Sequence, residues 1–169
     1  MGLDLDFSEG QTPLDEDERD GLLIRTITTS GELNEFEQLG VEKAVEWSRR
    51  RQFNLEQILS EQFVKDLHRV MFGDIWKWAG EFRRTNKNIG IDKNVIRVEL
   101  RKLLDDSSYW ASNNVFDPDE IAVRFSHRIV SIHPFANGNG RHSRLIADIL
   151  ISHGFGRPPF TWGSVGLIS

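Results

Sequence analysis

The apolar positions of this chain recur mostly at helical spacing rather than in alternation. Leu33, Phe36, Val41, Ala44 and Val45 mark a first helix ending in Arg49-Arg50-Arg51, where cations complement the negative helix end. Asn34, with Glu37 three residues on, has the spacing of a capping box. A second helix is expected from about Asn54 to Phe72, with Leu55, Ile58, Leu59, Phe63, Leu67, Val70 and Met71 as its buried stripe and Gly73 as its stop. A third runs from about Arg97 to Ser112, with Leu100, Leu103, Leu104 and Trp110 inward. Asp117-Pro118-Asp119-Glu120 opens a fourth, with a capping acid, a proline in the first turn and acids at the positive end. That helix carries Ile121, Phe125, Ile129 and Ile132. A fifth starts inside a glycine loop and runs to about Ser152, with Leu145, Ile146, Ile149 and Leu150 inward. Gly154, Gly156 and Pro158-Pro159 prevent its continuation.

The remaining segments break this pattern. Leu22 to Thr29 is rich in β-branched residues and reads as extended. Trp76, Trp78 and Phe82 form an aromatic cluster whose natural role is packing. Residues 83–95 are polar around Ile89, Gly90 and Ile91 and predict a small β-hairpin or exposed flap. The expectation is an all-α fold of about five to seven helices with one hairpin flap. Residues 1–20 form an acidic N-terminal extension, in which Thr12-Pro13 and Glu16 can start one helical turn, and residues 21–169 form the domain.

Composition narrows the chemistry. The 169-residue chain has no cysteine, which excludes thiol nucleophiles, disulfides and zinc–thiolate sites and favours a reducing, cytoplasmic setting. Its net charge of -5 argues against direct nucleic-acid binding. No apolar run is long enough to span a membrane, and the acidic start does not read as a signal peptide.

One segment stands apart: His133-Pro134-Phe135-Ala136-Asn137-Gly138-Asn139-Gly140-Arg141-His142-Ser143-Arg144. Glycine and asparagine tolerate positive φ and can turn successive N–H groups inward as an anion nest. The nest falls at a helix start, whose free N–H groups and dipole also favour anions. Arg141 and Arg144 are three residues apart and share a helix face. Together these describe a polyphosphate site. It is not a P-loop, because no Gly-Lys-Ser/Thr follows, and it lacks the third glycine of a dinucleotide fingerprint. His133, at its edge, can accept a proton from an attacking hydroxyl at neutral pH. A metal hydrolase built on His68, His127, His133, His142 and His153 finds no support in their spacing.

The same segment resembles the signature of the Fic/Doc family, H-P-F-x-[D/E]-G-N-G-R-x-x-R, at His133, Pro134, Phe135, Gly138, Asn139, Gly140, Arg141 and Arg144. Residues 72–80, Phe-Gly-Asp-Ile-Trp-Lys-Trp-Ala-Gly, also resemble family sequence. The order of Thr12-Pro-Leu-Asp15, Gly31-Glu-Leu-Asn34 and Pro158-Pro-Phe-Thr-Trp-Gly163 is similar to a bacterial subgroup, mobile mystery protein B. The resemblance implies protein adenylyltransferase activity: transfer of AMP from ATP to a Ser, Thr or Tyr hydroxyl of a target protein. His133 would be the general base, with Asn139 and Arg141 sharing the catalytic work. Gly138, Asn139, Gly140, Arg141 and Arg144 would hold the phosphates. The flap residues Asn88, Ile89, Gly90 and Ile91 would pair with the target as an added strand. The subgroup further implies a toxin-like or regulatory role and a helix-turn-helix partner protein.

The sequence departs from the pattern at Asn137, where the family prefers an acid that holds Mg²⁺; an amide oxygen can ligate the ion without the charge. Many members silence themselves through a glutamate in [S/T]-x-x-x-E-[G/N]. Thr28-Thr-Ser-Gly-Glu32 fits its first part, making Glu32 the candidate inhibitory residue and Glu35 the alternative. The chain ends soon after Gly163, where resembling proteins continue, so truncation at the C-terminus is an expectation. The alternative functions are a catalytically inactive nucleotide-binding module, or transfer of another nucleotide monophosphate or a phosphate.

Overall fold

The computed structural model describes residues 13–160. Among these described residues seven α-helices form: α1 (Glu16–Asp20), α2 (Ser30–Arg49), α3 (Leu55–Ile58), α4 (Glu61–Phe72), α5 (Ile96–Ser112), α6 (Pro118–Ile132) and α7 (Asn139–Ile149). A π-helical turn, Leu150–Gly154, extends α7. The fold is all-α, as the apolar periodicity requires.

Helix α7 runs through the centre, against α6, α4 and α2. Its Leu145, Ile146, Ala147 and Ile149 are buried, and so are the polar Asn139, His142 and Ser143. A helix buried on most of its circumference must satisfy those polar groups internally. His142 does so through Nε2, which meets the Val64 carbonyl of α4 at 2.9 Å. Phe72, Phe125, Phe135, Leu67 and Ile129 fill the space around it.

Several elements differ from the sequence reading. Helix α2 begins at Ser30 rather than near Leu33, because the Thr29 hydroxyl accepts the Glu32 N–H and caps it there. Asn34 is therefore interior to α2 and does not cap it. The helix expected over Asn54–Phe72 is two helices. The Ser60 hydroxyl caps α4 at Phe63 N (3.1 Å) and donates back to the Gln57 carbonyl at 2.8 Å, so it competes with a continuous ladder. Helix α1 is capped by Asp15, whose carboxylate accepts the Glu18 N–H while the Glu18 carboxylate accepts the Asp15 N–H, a reciprocal box. Thr12 lies outside the described residues.

No strand forms among the described residues. Leu22 and Trp76 make one isolated antiparallel bridge. The expected flap hairpin is a loop without a strand ladder. Asn86 closes it by accepting the Lys93 N–H at 2.8 Å, while the Asp92 carboxylate accepts the Asn94 N–H at 2.8 Å. Side chains do the work that cross-strand amides would do in a hairpin. No helix among the described residues is long and apolar enough to cross a membrane.

Candidate active site

Helix α6 stops at His133, which takes a left-handed conformation (φ 57°, ψ 60°) and donates its N–H to the Ile129 carbonyl at 3.2 Å. This costs an L-residue roughly 1–2 kcal/mol, and it turns the chain back over the helix bundle. The loop that follows is held at three points. Phe135 is fully buried and stacked on His68, with ring centroids 3.8 Å apart and planes 19° from parallel. Asn139 bridges the loop with both ends of its amide: Oδ1 accepts the Phe135 N–H at 3.0 Å, and Nδ2 donates to the Phe135 carbonyl at 2.8 Å. His68 Nδ1 accepts the Gly80 N–H at 2.9 Å, so the proton resides on Nε2, which donates to the Asn137 carbonyl at 3.0 Å. Complete burial and the neighbouring His142 hold His68 well below the ordinary histidine range, so it serves as a neutral strut.

The loop delivers the chain into α7 through Gly138 at φ +79°. A Cβ there would stand 2.5 Å from Cε2 of Phe72, so both conformation and space call for glycine. No side chain caps α7. The first-turn N–H groups, from Asn139 onward, are those a helix leaves without internal partners. Over them folds Arg144, whose Nη1 lies 3.4 Å from where a Cβ on Gly140 would stand. Burial, then the like charge of Arg141, lowers the Arg144 pKa from its usual value against the pull of Asp148. Positive charge is thus concentrated at a helix N-terminus that carries no capping side chain. The Asn137 amide oxygen accepts the Gly138 N–H at 2.7 Å.

The His133 ring is buried beside this nest. Burial first, then the charges of Arg83 and Lys87, lowers its pKa to about 4, against a ring hydrogen bond to the Val130 backbone. The ring is therefore neutral at pH 7. With one nitrogen donating to the Val130 carbonyl, the other carries a lone pair.

Arg83 fixes this arrangement. Its N–H donates to the Pro134 carbonyl at 2.9 Å. Its guanidinium donates to the carbonyls of His133, Ile132, Ile91 and Thr85. One buried fork therefore joins the end of α6, the start of the phosphate loop and both sides of the flap. Gly90 (φ +90°) rests directly on His133: a Cβ there would stand 2.6 Å from Cβ of that residue. The flap is pinned at its other end by Lys87, whose ammonium is buried against the Glu18 carboxylate of α1, with Asp15 at 4.0 Å. Of the flap residues, Asn88, Ile89 and Gly90 are exposed and Ile91 is half-buried.

On the opposite side, Arg141 meets α2. Its guanidinium donates to the Asn34 side chain and lies 3.7 Å from the Glu37 carboxylate. Burial raises Glu37 to about 7, against the opposing charge of Arg141. Glu32 lies elsewhere: its carboxylate accepts from the hydroxyls of Thr28 (3.3 Å) and Thr29 (3.0 Å) in an exposed turn. Glu35 is exposed. Of the acids on α2, Glu37 is the one that pairs with Arg141.

The structure thus brings His133, Gly138, Asn139, Gly140, Arg141, Arg144 and the flap at Gly90 into one place. It gives the Asn139 side chain to the loop itself. Among the described residues no group of three or more His, Asp or Glu side chains could hold a metal ion. The sequence reading missed Arg83, His68 and Glu37. The first two carry no local signal, since each acts on residues far along the chain. Glu37 was legible only as an N-terminal helix acid, because Asn34 was read as the cap.

These features match a known family. The model of the Fic/DOC family matches residues 58–151, from the end of α3 through the phosphate loop to the turn after α7. The chain belongs to that family. It is 28% identical over 127 residues to "Protein adenylyltransferase Fic" of Aedes aegypti, which covers 73% of this chain and 25% of that protein. It is 33% identical over 100 residues to the Drosophila grimshawi protein of the same name, covering 57% of this chain and 20% of that protein. The chain thus spans about a quarter or less of these curated relatives. Among solved structures, BepC of Bartonella tribocorum with bound AMPPNP is similar at TM-score 0.64 and 19% identity, covering 82% of this chain and 79% of that one. Fic-1 of C. elegans (residues 134–508) is similar at TM-score 0.56 and 25% identity, covering 71% of this chain and 36% of that one.

Proposed function

We propose that this site transfers AMP from ATP to a hydroxyl side chain of a target protein. The observation that carries the reading is a neutral imidazole, His133, held beside a helix start that lacks a capping side chain and is overhung by Arg144. The hydroxyl oxygen attacks the α-phosphorus, its proton passes to the unprotonated ring nitrogen of His133, and the bond to the β-phosphate breaks to release pyrophosphate. The first-turn N–H groups of α7 and the two arginines stabilise charge on the phosphates without chemistry of their own. The names of the curated relatives support the same transfer.

Asn137 offers a single neutral oxygen, already accepting one N–H. The residues therefore fit a Mg²⁺ that arrives on the triphosphate and takes one ligand from the protein. When bound, the ion would neutralise charge on the phosphates. The flap backbone at Asn88–Ile91 would take the target as an added strand, placing its hydroxyl over His133. Helix α2 restrains the site in the form described: Asn34 and Glu37 hold Arg141 away from incoming phosphate, so Glu37 rather than Glu32 or Glu35 is the inhibitory acid.

Labelled ATP tests the chemistry. Protein incubated with α-labelled ATP should retain label, His133→Ala should lose at least ~10²-fold of it, the scale of general-base catalysis, and γ-labelled ATP should leave none. Retention of γ-label would mean phosphate transfer. ATP binding with no transfer from either label would favour the inactive nucleotide-binding module that the neutral Asn137 suggests.

A further inference from the structure

Beside the flap lies a depression of about 530 Å³ between the two flap stems, α4 and the start of α5. Lys65, Arg69, Arg84, Lys93 and Arg97 line it, with Glu81 as the one acid among the lining residues. The chain as a whole carries 26 acids against 21 Lys and Arg, so five cations around one hollow run against its balance. Neighbouring acids offset part of this charge. Glu61 lies 3.4 Å from Lys65 and 3.2 Å from Arg97, and Asp66 lies 3.0 Å from Arg69. Arg84 is held only loosely, 3.9 Å from Glu81, with its side chain 85% exposed. Lys93 is exposed as well. The backbone explains the placement: Arg83 turns inward to His133 and its neighbour Arg84 turns outward to the hollow.

We propose that this depression docks an acidic segment of the protein target, flanking the hydroxyl that the flap presents to His133. The proposal rests on the reading of the chain as a protein-modifying enzyme and adds the kind of target it selects. Its position supports this, because Arg84 and Lys93 stand on the two stems of the loop that would hold the target's backbone. Charge complementarity steers such encounters and fixes register. A single-stranded nucleic acid fits less well. Phe82 is the one aromatic ring among the lining residues, and the Lys65 ammonium stands over it, 4.6 Å from its centroid, where a base would stack.

The test is binding, which does not depend on transfer. Fluorescein-labelled decaglutamate is titrated with the protein at low salt and read by anisotropy. The double variant Arg84→Glu/Lys93→Glu should bind at least 10-fold more weakly. Arg49→Glu/Arg50→Glu, which changes net charge equally at the far end of α2, should bind within 2-fold of the unaltered protein. Equal loss in both variants, no saturable binding, or tighter binding of a decathymidylate probe would overturn the proposal. Retained decaglutamate binding in a protein that transfers no AMP would leave the docking surface standing and remove the reading of the reaction.

Discussion

At His133 the requirements of folding and of chemistry pull apart. The helix end needs a left-handed residue, a place where glycine is preferred because it has no Cβ to clash. A histidine occupies it and bears the strain. His133→Gly should therefore be more stable than His133→Ala by about 1 kcal/mol, the reverse of the usual order, as measured by urea unfolding, and neither should transfer AMP. Gly138 makes the complementary case. Gly138→Ala meets both a positive φ and Phe72, and should lose at least ~2 kcal/mol together with ATP binding, read by the same unfolding curves and by nucleotide titration. These positions were legible in the sequence because a motif of a dozen residues encodes a local shape. Arg83 was not. Its role depends on carbonyls from residues 85, 91, 132 and 133, which only the folded chain assembles.

The helices were legible wherever their caps and apolar stripes agreed. Asp117-Pro118 opened α6 where expected, although the Asp117 side chain makes no capping hydrogen bond, and α5 kept its predicted bounds to within a residue. The misses have local physical causes. Ser60 interrupted an unbroken apolar stripe because its hydroxyl bonds backbone on both sides. The flap was read as a hairpin from isolated isoleucines, yet its geometry is set by Asn86, Asp92 and the buried Lys87. Residues 1–20 read only as an acidic extension with one helical turn; in the fold, Glu18 in α1 supplies the counter-ion for Lys87, and the Glu18 carbonyl accepts the Trp78 indole N–H at 2.8 Å. Removing one partner of a buried pair strands the other charge. Glu18→Ala should cost about 3 kcal/mol and should speed amide exchange across residues 85–92, measured by hydrogen exchange. Unchanged exchange there would mean that α1 does not hold the flap.

For the molecule as a whole, of the two titrating groups on either side of the nest only one responds to pH near neutrality. Glu37, raised to about 7, is charged above that pH and neutral below it. Its hold on Arg141 therefore weakens as pH falls through 7. His133, lowered to about 4, stays an unprotonated base throughout the same range. Self-labelling by the unaltered protein should rise several-fold from pH 8 to pH 6, whereas Glu37→Gln should be high and nearly flat. A parallel slope in both proteins would separate the pH response from Glu37. The family and the all-helical fold could be read from a signature and a periodicity. The restraint could not, because it joins α2 to α7 across more than a hundred residues.

The guanidinium of Arg83 has one more consequence. Because it grips the carbonyl of His133 and both sides of the flap at once, the ledge on which a target would rest and the imidazole that would deprotonate it are tied by one side chain. Changing the outward residues of the ledge would alter which proteins are admitted while leaving the distance to the imidazole untouched. Target choice can then drift over evolutionary time without retuning the reaction, and selectivity in this chain should vary as affinity rather than as turnover.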